Sequence, residues 1–583
     1  ASVAGTGKNS SNETMAGGIA GYALGTITNC YNTGSVTAEV SQAGGIAGST
    51  TAVAGYTRVE SCYNTGSVTA PSRVGAINGY HDNGKSPTTN CYYLKGSSSA
   101  GFGMNVGTGE ATELTDSQLK SWAAAYALNG SKQGTPWTYD ANVNNGSPSF
   151  GTLGAPSNWG QIGLGVDAGL ITGTNFKPAQ TGDSEADAYQ ISTPEALAWF
   201  AHAANNGYAY VYANLTLEAL EGHPVFDLSG SAYGGSVDAD ADSDADKYAQ
   251  CLPWKALSTY GATMTGTGTA LENLYAVGDT GSSLVSEGFG GTLSFVDVDV
   301  ASGYVEGYNA AALVGYTDYS PEEGLAFTNC RNGATIQGQE NAGGLGALLS
   351  GTVRFSGCSN EGAVSAKEGS SPTAGGLAAS TYENAIVTVS SCMNAGAVSG
   401  DAVSAGLVAA RPASCTVEGS LSVGQVSGGA AYAFASTTSD GTPAAVSDSY
   451  CLDTIGGSQE LVDAASNPNA AKSAEQLRTW GAAYALNGGT GAQKVGDLTT
   501  WRKASGTGEN SGYPVLCAAG ESMTPAADWS EVGEWVDVFS PAFKPAENGT
   551  TAACSAGTPE ALAWVAYKAN NGMPAINVKL TGN

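Results

Sequence analysis

The chain has 583 residues, of which 83 are glycine, 42% hydrophobic and only 13% charged, a composition that excludes both one ordinary compact core and a disordered polar chain. Asp and Glu outnumber Lys and Arg by 51 to 22, and a net charge of −29 repels phosphate backbones and anionic lipid, so nucleic acid is not an expected partner. No run of about 18 apolar residues occurs, so no membrane insertion is expected in this segment, and any export signal or anchor is expected outside it.

The first element is a repeat. Ala16-Gly17-Gly18-Ile19-Ala20-Gly21 followed by Asn29-Cys30-Tyr31-Asn32-Thr33-Gly34-Ser35-Val36 returns as Ala43-Gly44-Gly45-Ile46-Ala47-Gly48 with Ser61-Cys62-Tyr63-Asn64-Thr65-Gly66-Ser67-Val68, then fades into Val74-Gly75-Ala76-Ile77 and Asn90-Cys91-Tyr92-Tyr93. The spacing of roughly 30 residues is a solenoid period, and the short apolar stretches bounded by Gly and Asn read as strands ending in sharp turns. Parallel coils stack about 4.8 Å apart, so each side chain meets its own copy. Three columns follow: an inward aliphatic stack (Ile19, Ile46, and later Leu345 and Leu377), an amide ladder (Asn32, Asn64, and later Asn332, Asn360 and Asn394), and a cysteine column. The cysteines are Cys30, Cys62, Cys91, Cys330, Cys358 and Cys392, with Ser420 in a degenerate coil. Neighbouring coils bring them within disulfide reach, but small buried thiols packed as apolar groups are the favoured reading, and zinc lacks the Cys-x-x-Cys pairs it needs.

Next, Ser117 to Gly130 (SQLKSWAAAYALNG) is an amphipathic closing segment, with Thr115 and Gln118 at capping-box spacing. It predicts a cap with a helix about 115–129. A short connection such as Gly151 to Gln161 leads on to Ser192-Thr193-Pro194-Glu195-Ala196-Leu197-Ala198-Trp199, where Thr at the N-cap, Pro at the first turn and Asn206-Gly207 at the end predict an opening helix about 194–206. A strand from Tyr210 to Leu217 is expected to follow.

Asp238, Asp240, Asp242, Asp244 and Asp246 alternate in one run; hard oxygen ligands at that density suit Ca²⁺, though Ser243 and Ala249 depart from an EF-hand, and a plain acidic loop is the simpler reading. Asp297 and Asp299, two apart in Ser294–Val300, are expected on one strand face about 7 Å apart, a spacing that would admit glycosidase chemistry were it not that no His or Arg cluster accompanies them. A solvated strand face is the favoured reading. Tyr304, Tyr308, Tyr316 and Tyr319, like Tyr31, Tyr63, Tyr92 and Tyr93, are candidates for stacking on sugar or, more simply, for structural packing.

After the second array of coils, Glu475 to Gly488 (EQLRTWGAAYALNG) repeats the closing segment, with Ser473 and Gln476 at capping-box spacing, and Gly557 to Trp564 (GTPEALAW) repeats the opening helix. Coils are thus nested in capped units of about 365 residues, the distance from Trp199 to Trp564. The expected architecture is all-β dominated: parallel β-solenoid (β-helix) units with short capping α-helices in tandem array. Residues 1–155 are read as the end of a first unit, 156–520 as a complete second unit (coils about 210–455, closing cap about 473–520), and 521–583 as the start of a third with a helix about 559–571.

The Gly-Gly-Ile-Ala-Gly and Asn-Cys-Tyr-Asn-Thr-Gly-Ser-Val elements resemble GLUG-motif repeats, and Asp187 to Thr193 before the opening helix is similar to the segment that opens many such repeat domains. The resemblance implies a large bacterial surface protein of the kind found among adhesins and IgA-specific metallopeptidases. The zinc motif His-Glu-x-x-His of such peptidases is missing: the only histidines, His81, His202 and His223, are not so spaced. The expected function is therefore a non-enzymatic, extracellular structural and adhesive stalk at the bacterial surface, with host or microbial glycans or matrix proteins as possible ligands and no assigned cofactor. The alternatives are a non-catalytic arm of a larger secreted peptidase or glycan-active enzyme, and a filament subunit that self-associates head to tail.

Overall fold

Short apolar and β-branched stretches punctuated by Gly, Asn and Asp fold as strands of two to nine residues, and within the coils these pair in parallel with the strand about one coil further on. The structure, a computed structural model, describes residues 2–581 except 10, 52–56, 83–86, 107–108, 208–210, 216–225, 260, 290–291, 319–323, 458–462, 464–468, 492–494, 519, 547–551 and 574–575. These group into two compact units, Ala1–Pro178 with Thr193–Ala203 and Gly230–Ser236, and Ala179–Ser192 with Ala204–Ser229 and Val237–Asn583. Both are parallel β-solenoids. Residues 193–203, placed by sequence with the complete second unit, cluster with the first.

In the first unit the coils stack into five small parallel sheets, with Tyr31, Tyr63 and Tyr92 in one register and Ala16, Ala43 and Val74 in another. In the second, two sheets run to nine strands, from Tyr189–Ile191 to Ala445–Ser447 and from Phe226–Asp227 to Ala471–Lys472. Where the first unit breaks one side of the coil into Val36–Ala38 and Gln42–Gly44, the second runs straight through, as in Thr335–Gly343.

The expected columns are present. Ile46, Leu345 and Leu377 are fully buried, and Leu284, Leu313, Leu407 and Phe434 extend the second stack. Ile19 differs: it is 46% exposed, because its coil is covered on one side only, by Ile46. A ring column that sequence reading did not single out, Phe295, Phe327 and Phe355, stacks at 5.4 and 4.8 Å within 8° of parallel. The asparagines form ladders: Asn32 Nδ2 donates to Asn64 Oδ1 at 2.8 Å, Asn332 to Asn360 at 2.7 Å, and Asn360 to Asn394 at 2.8 Å. Each Nδ2 also donates to the carbonyl two residues on, so the same amide closes its own turn and locks the next coil.

The cysteine column consists of free thiols. Each Sγ donates to the carbonyl two residues earlier, as in Cys62 to Glu60 at 3.2 Å, while Cys392 Sγ accepts the Cys358 N–H at 3.4 Å. Ser420 and Ser449 hydroxyls continue the column with the same bonds, to the Glu418 and Ser447 carbonyls and from the Cys392 and Ser420 N–H groups. What the position requires is a small group that donates backward and accepts from the neighbouring coil. Burial pushes the Cys330 and Cys358 thiols up. The residue before each column member bends left-handed: φ is +53° at Asn29, +54° at Ser61, +50° at Asn90, +51° at Asn329, +54° at Ser391 and +63° at Gly357. Asn and Ser tolerate this conformation and Gly adopts it freely, which accounts for the residue types found there.

Each closing segment forms two short helices rather than one. Asp116–Leu119 and Ala474–Leu477 have complete capping boxes; Ser121 and Thr479 then cap Trp122–Leu128 and Trp480–Leu486. A two-stranded antiparallel hairpin follows, Trp137–Thr138 with Ser149–Phe150 and Trp501–Arg502 with Val515–Leu516. The Asn ending each helix holds the hairpin tryptophan by both backbone groups: Asn129 Oδ1 accepts the Trp137 N–H and Nδ2 donates to its carbonyl, both at 2.9 Å, and Asn487 does the same to Trp501 at 3.0 and 2.8 Å.

The connection expected from Gly151 to Gln161 leads into a helix that begins at Trp159. Trp159–Asp167 in the first unit and Trp529–Val538 in the second bridge the closing helix to the opening one, Pro194–Asn205 or Pro559–Asn570. Gly163 and Gly533 occupy equivalent positions in these bridging helices, and a Cβ on either would stand 2.2 or 2.4 Å from the carbonyl of Ala198 or Ala563. Asp167 accepts the Trp199 indole N–H at 3.2 Å and pairs with Lys177 at 3.0 Å; Asp537 accepts the Trp564 indole N–H at 2.9 Å and pairs with Lys544 at 3.2 Å. Burial opposes ionisation of both carboxyls, but these bonds outweigh it and hold them below the usual range. Among the described residues, no helix is long and apolar enough to cross a membrane.

Candidate functional site

The described residues form a trough with a mixed polar and apolar lining on the second unit. One wall is the sheet containing Val314–Asp318, Gly346–Leu349 and Ala378–Thr381; the other is the sheet containing Gly303–Ala311, Thr335–Gly343, Thr373–Gly375, Val398–Ala405 and Val426–Tyr432. The trough encloses about 540 Å³.

Register builds its walls. Leu348 and Ser380 lie in one column, and Asn341, Thr373 and Val403 in another. Asn341 donates to Asn309 at 2.8 Å, a second amide ladder along the wall. Glu340 is structural: its carboxylate accepts the N–H groups of Ser370 and Ser371 at 2.7 and 3.0 Å and so fastens the loop that rims the trough. Glu383 and Arg411 are exposed at the rim, and Arg411 has no ion pair among the described residues. Thr381 lines the trough at 8% exposure, and its buried hydroxyl has no hydrogen-bond partner among the described residues. The Tyr308 ring is 43% exposed at one end, and Tyr432 stands towards the other.

The sequence-derived candidates fall elsewhere, with one exception. The five aspartates are all exposed, and three of the carboxylates have separate engagements: Asp238 accepts the Asp240 N–H at 3.1 Å, Asp246 the Ser243 hydroxyl at 2.7 Å, and Asp244 the Thr335 hydroxyl at 2.6 Å. The run ends in a one-turn helix, Asp244–Tyr248, held to the solenoid flank through buried Tyr248 and Cys251 beside Tyr304. No group of three or more His, Cys, Asp or Glu among the described residues is arranged to hold a metal ion.

Asp297 and Asp299 do not share a strand face. Asp297, at φ +55°, is the left-handed bend that ends Leu293–Val296, and Asp299 opens Asp299–Val300 in a different sheet. Asp297 accepts from Asn329 at 3.0 Å, and Asp299 pairs with Arg331, which also reaches Glu361 in the next coil.

Most of the tyrosines are packing residues. Tyr31 and Tyr63 stack at 5.2 Å beneath the hairpin, and the Tyr63 hydroxyl donates to the Pro148 carbonyl at 2.6 Å. Tyr92, Tyr93 and Tyr304 are buried, and the hydroxyls of Tyr316 and Tyr382 lie 3.1 Å apart. Tyr319 and His223 lie outside the described residues. Tyr308 alone of the set reaches the trough. Arg411, Thr381 and Glu383 carried no sequence signal, because the trough is assembled from five coils and no two of its polar residues form a motif.

Residues 12–37, which make one turn of the first solenoid, match the family model described as the GLUG motif. The chain carries a GLUG motif. Coils following this GLUG turn repeat its Gly-Gly-aliphatic and Asn-Cys-x-Asn elements in register. A crystal structure of a putative immunoglobulin A1 protease from Bacteroides ovatus is similar at 16% identity and a TM-score of 0.35, covering 62% of this chain and 97% of that one. No curated protein matches the chain.

Proposed function

We propose that this GLUG-motif chain is a non-catalytic repeat region of a large bacterial surface or secreted protein, a stalk whose solenoid units both space and present a binding surface. The observation that carries the reading is the duplicated junction. A closing cap, a bridging helix and an opening helix recur about 360 residues apart with the same Asn–Trp clamp and the same Asp–Trp–Lys contacts. Such a joint serves a chain in which one solenoid follows another, since terminal caps otherwise need only cover an open coil. The excess of carboxylates, a net charge of −29, suits a soluble array outside the cell.

The test is to coat beads with the intact chain and measure retention on mucin, epithelial and extracellular-matrix surfaces, with immunoglobulin A and polysaccharides assayed for cleavage in parallel. The reading expects retention on at least one surface and no cleavage. Turnover of any substrate, or no retention on any surface, contradicts it.

A further inference from the structure

We propose that Cys30, Cys62 and Cys91 form a redox-active thiol column, which is oxidised at Cys30 by a small-molecule disulfide and passes the resulting disulfide inward to Cys62 and Cys91. The inference is independent of the adhesive reading.

Register places the three sulfurs. Each cysteine directly precedes a member of the aligned set Tyr31, Tyr63 and Tyr92, so neighbouring Cα atoms stand about 4.8 Å apart, inside the span of a disulfide. The thiols point the same way, since Cys30, Cys62 and Cys91 donate to the carbonyls of Thr28, Glu60 and Thr89 at 3.3, 3.2 and 3.3 Å. They therefore form a line, with Cys62 in hydrogen-bonding reach of the thiol on either side. The Cys91 thiol beside Cys62 favours its thiolate and holds it below the usual thiol range.

An accessible end distinguishes this column from its counterpart in the second unit. Cys30 is half-buried, Cys62 and Cys91 are buried, and Ala111 closes the far end. Cys330, Cys358 and Cys392 are all buried and lie between Val298 and Ser420, themselves buried. The same stack of thiols is thus placed once within reach of a solute and once out of it, and reactivity follows access.

Three exchanges complete the transfer, and they balance. The Cys30 thiolate attacks a small disulfide RSSR, forming a mixed disulfide and releasing a thiolate that takes up the Cys30 proton. The Cys62 thiolate attacks the Cys30 sulfur, and the second small thiolate leaves with the Cys62 proton. The Cys91 thiolate then attacks the Cys62 sulfur along the column, the axis on which sulfur is displaced; the Cys30 thiolate leaves and takes up the Cys91 proton. One RSSR is reduced to two RSH, and two cysteines are oxidised to one cystine. The last exchange is favourable because a disulfide has no S–H to satisfy in a dry interior, while the regenerated thiol stands where water reaches it. The product clips two coils together across about 30 residues of chain. A soft metal ion is the competing use of three thiols, but sulfurs in a line do not enclose one, and no group of three or more His, Cys, Asp or Glu among the described residues is arranged to hold a metal.

The test treats the full, reduced chain with hydroxyethyl disulfide at mildly alkaline pH, since burial raises the Cys30 thiol, then alkylates at intervals and maps linked peptides by mass. In the wild type a Cys30–Cys62 linkage is expected first and a Cys62–Cys91 linkage after it, while Cys330, Cys358 and Cys392 stay reduced. Half-buried Cys517, beside Arg502 and Glu521, should stop at the mixed disulfide. Cys91→Ser should hold the linkage at Cys30–Cys62, and Cys30→Ser should slow formation of Cys62–Cys91 by at least about 10-fold, because the oxidant loses its point of entry. Serine suits the position, as Ser420 and Ser449 show, and circular dichroism verifies that the variants fold. Cys30 left unreacted or stopped at the mixed disulfide, a wild-type linkage that never reaches Cys91, Cys62–Cys91 forming as fast without Cys30, or the second column oxidising as fast as the first would each overturn the proposal. The wild-type map and the second column decide the matter even where a variant unfolds.

Discussion

Replacing Asn360 by Ala removes the middle rung of the buried amide ladder, and the structure sets the cost. Asn360 is fully buried, donates to Gly362 and to Asn394, and accepts from Asn332. Truncation leaves one N–H of Asn332 and the Oδ1 of Asn394 without these partners in a dry interior, at about 1–3 kcal/mol each, for a total of about 2–6 kcal/mol. Asn360→Asp keeps the volume but sets an acceptor against the Asn394 acceptor and the Gly362 carbonyl, so it should cost at least as much. That variant separates lost bonding from lost packing. Because the chain forms two compact units, a global melt does not report one equilibrium; native-state hydrogen exchange does so locally. The reporters are the Glu361 and Ala395 amides, which donate across coils to Asn332 and Asn360 at 2.7 and 2.8 Å. A fall of less than about 1 kcal/mol in their opening free energy, for both variants, would refute the ladder as a stabilising element. At half-exposed Asn32, where water can replace lost partners, about 1 kcal/mol is expected.

Cys392→Ser should be nearly neutral, since Ser420 and Ser449 already fill that position, whereas Cys392→Val leaves the Cys358 N–H without its acceptor and should cost about 1–3 kcal/mol by hydrogen exchange of that coil. Glu195 is buried, and its pKa is raised by that burial although the Tyr233 hydroxyl donates to it at 3.2 Å; its folded form favours the proton, so its contribution is fully present below about pH 4.5 and lost as pH rises through the higher folded value. Exchange protection of the opening helix in the first unit should therefore decline from pH 4 to pH 7, and Glu195→Gln should flatten the decline. Gly533→Ala forces the bridging and opening helices of the second unit apart by pressing a methyl on the Ala563 carbonyl, for about 1–3 kcal/mol, visible as faster limited proteolysis between residues 529 and 570.

The solenoid was legible because a coil repeats its environment: once Asn32 and Asn64, or Ile46 and Leu345, occupy equivalent places, the period itself says what each side chain touches. The capping boxes at Thr115 and Ser473 were legible for the opposite reason, being wholly local. What escaped was structure whose meaning lies in contacts between distant segments. Gly160, Gly163 and Gly165 make Trp159–Asp167 a poor helix by propensity, yet Gly163 is there so that the opening helix can approach. Asp297 and Asp299 looked like neighbours on a strand because alternation cannot register a left-handed bend between sheets, although the Asn, Ser and Gly at the equivalent coil positions were a usable signal for it. The trough had no signature at all, since its polar residues are scattered from Tyr308 to Thr437.

The central claim is the parallel stacking of coils in a fixed register, and a disulfide tests it most directly. Thr388 and Thr416 face outward and are in-register partners on adjacent coils, about 4.8 Å apart, inside the range a disulfide spans. Thr388→Cys with Thr416→Cys should cross-link fully on mild oxidation, read by peptide mass. Thr388→Cys with Glu418→Cys, on the same face but displaced by two residues to about 8 Å, should not. Cross-linking of the displaced pair in preference to the aligned one would contradict the register on which the ladders, the thiol column and the trough all depend.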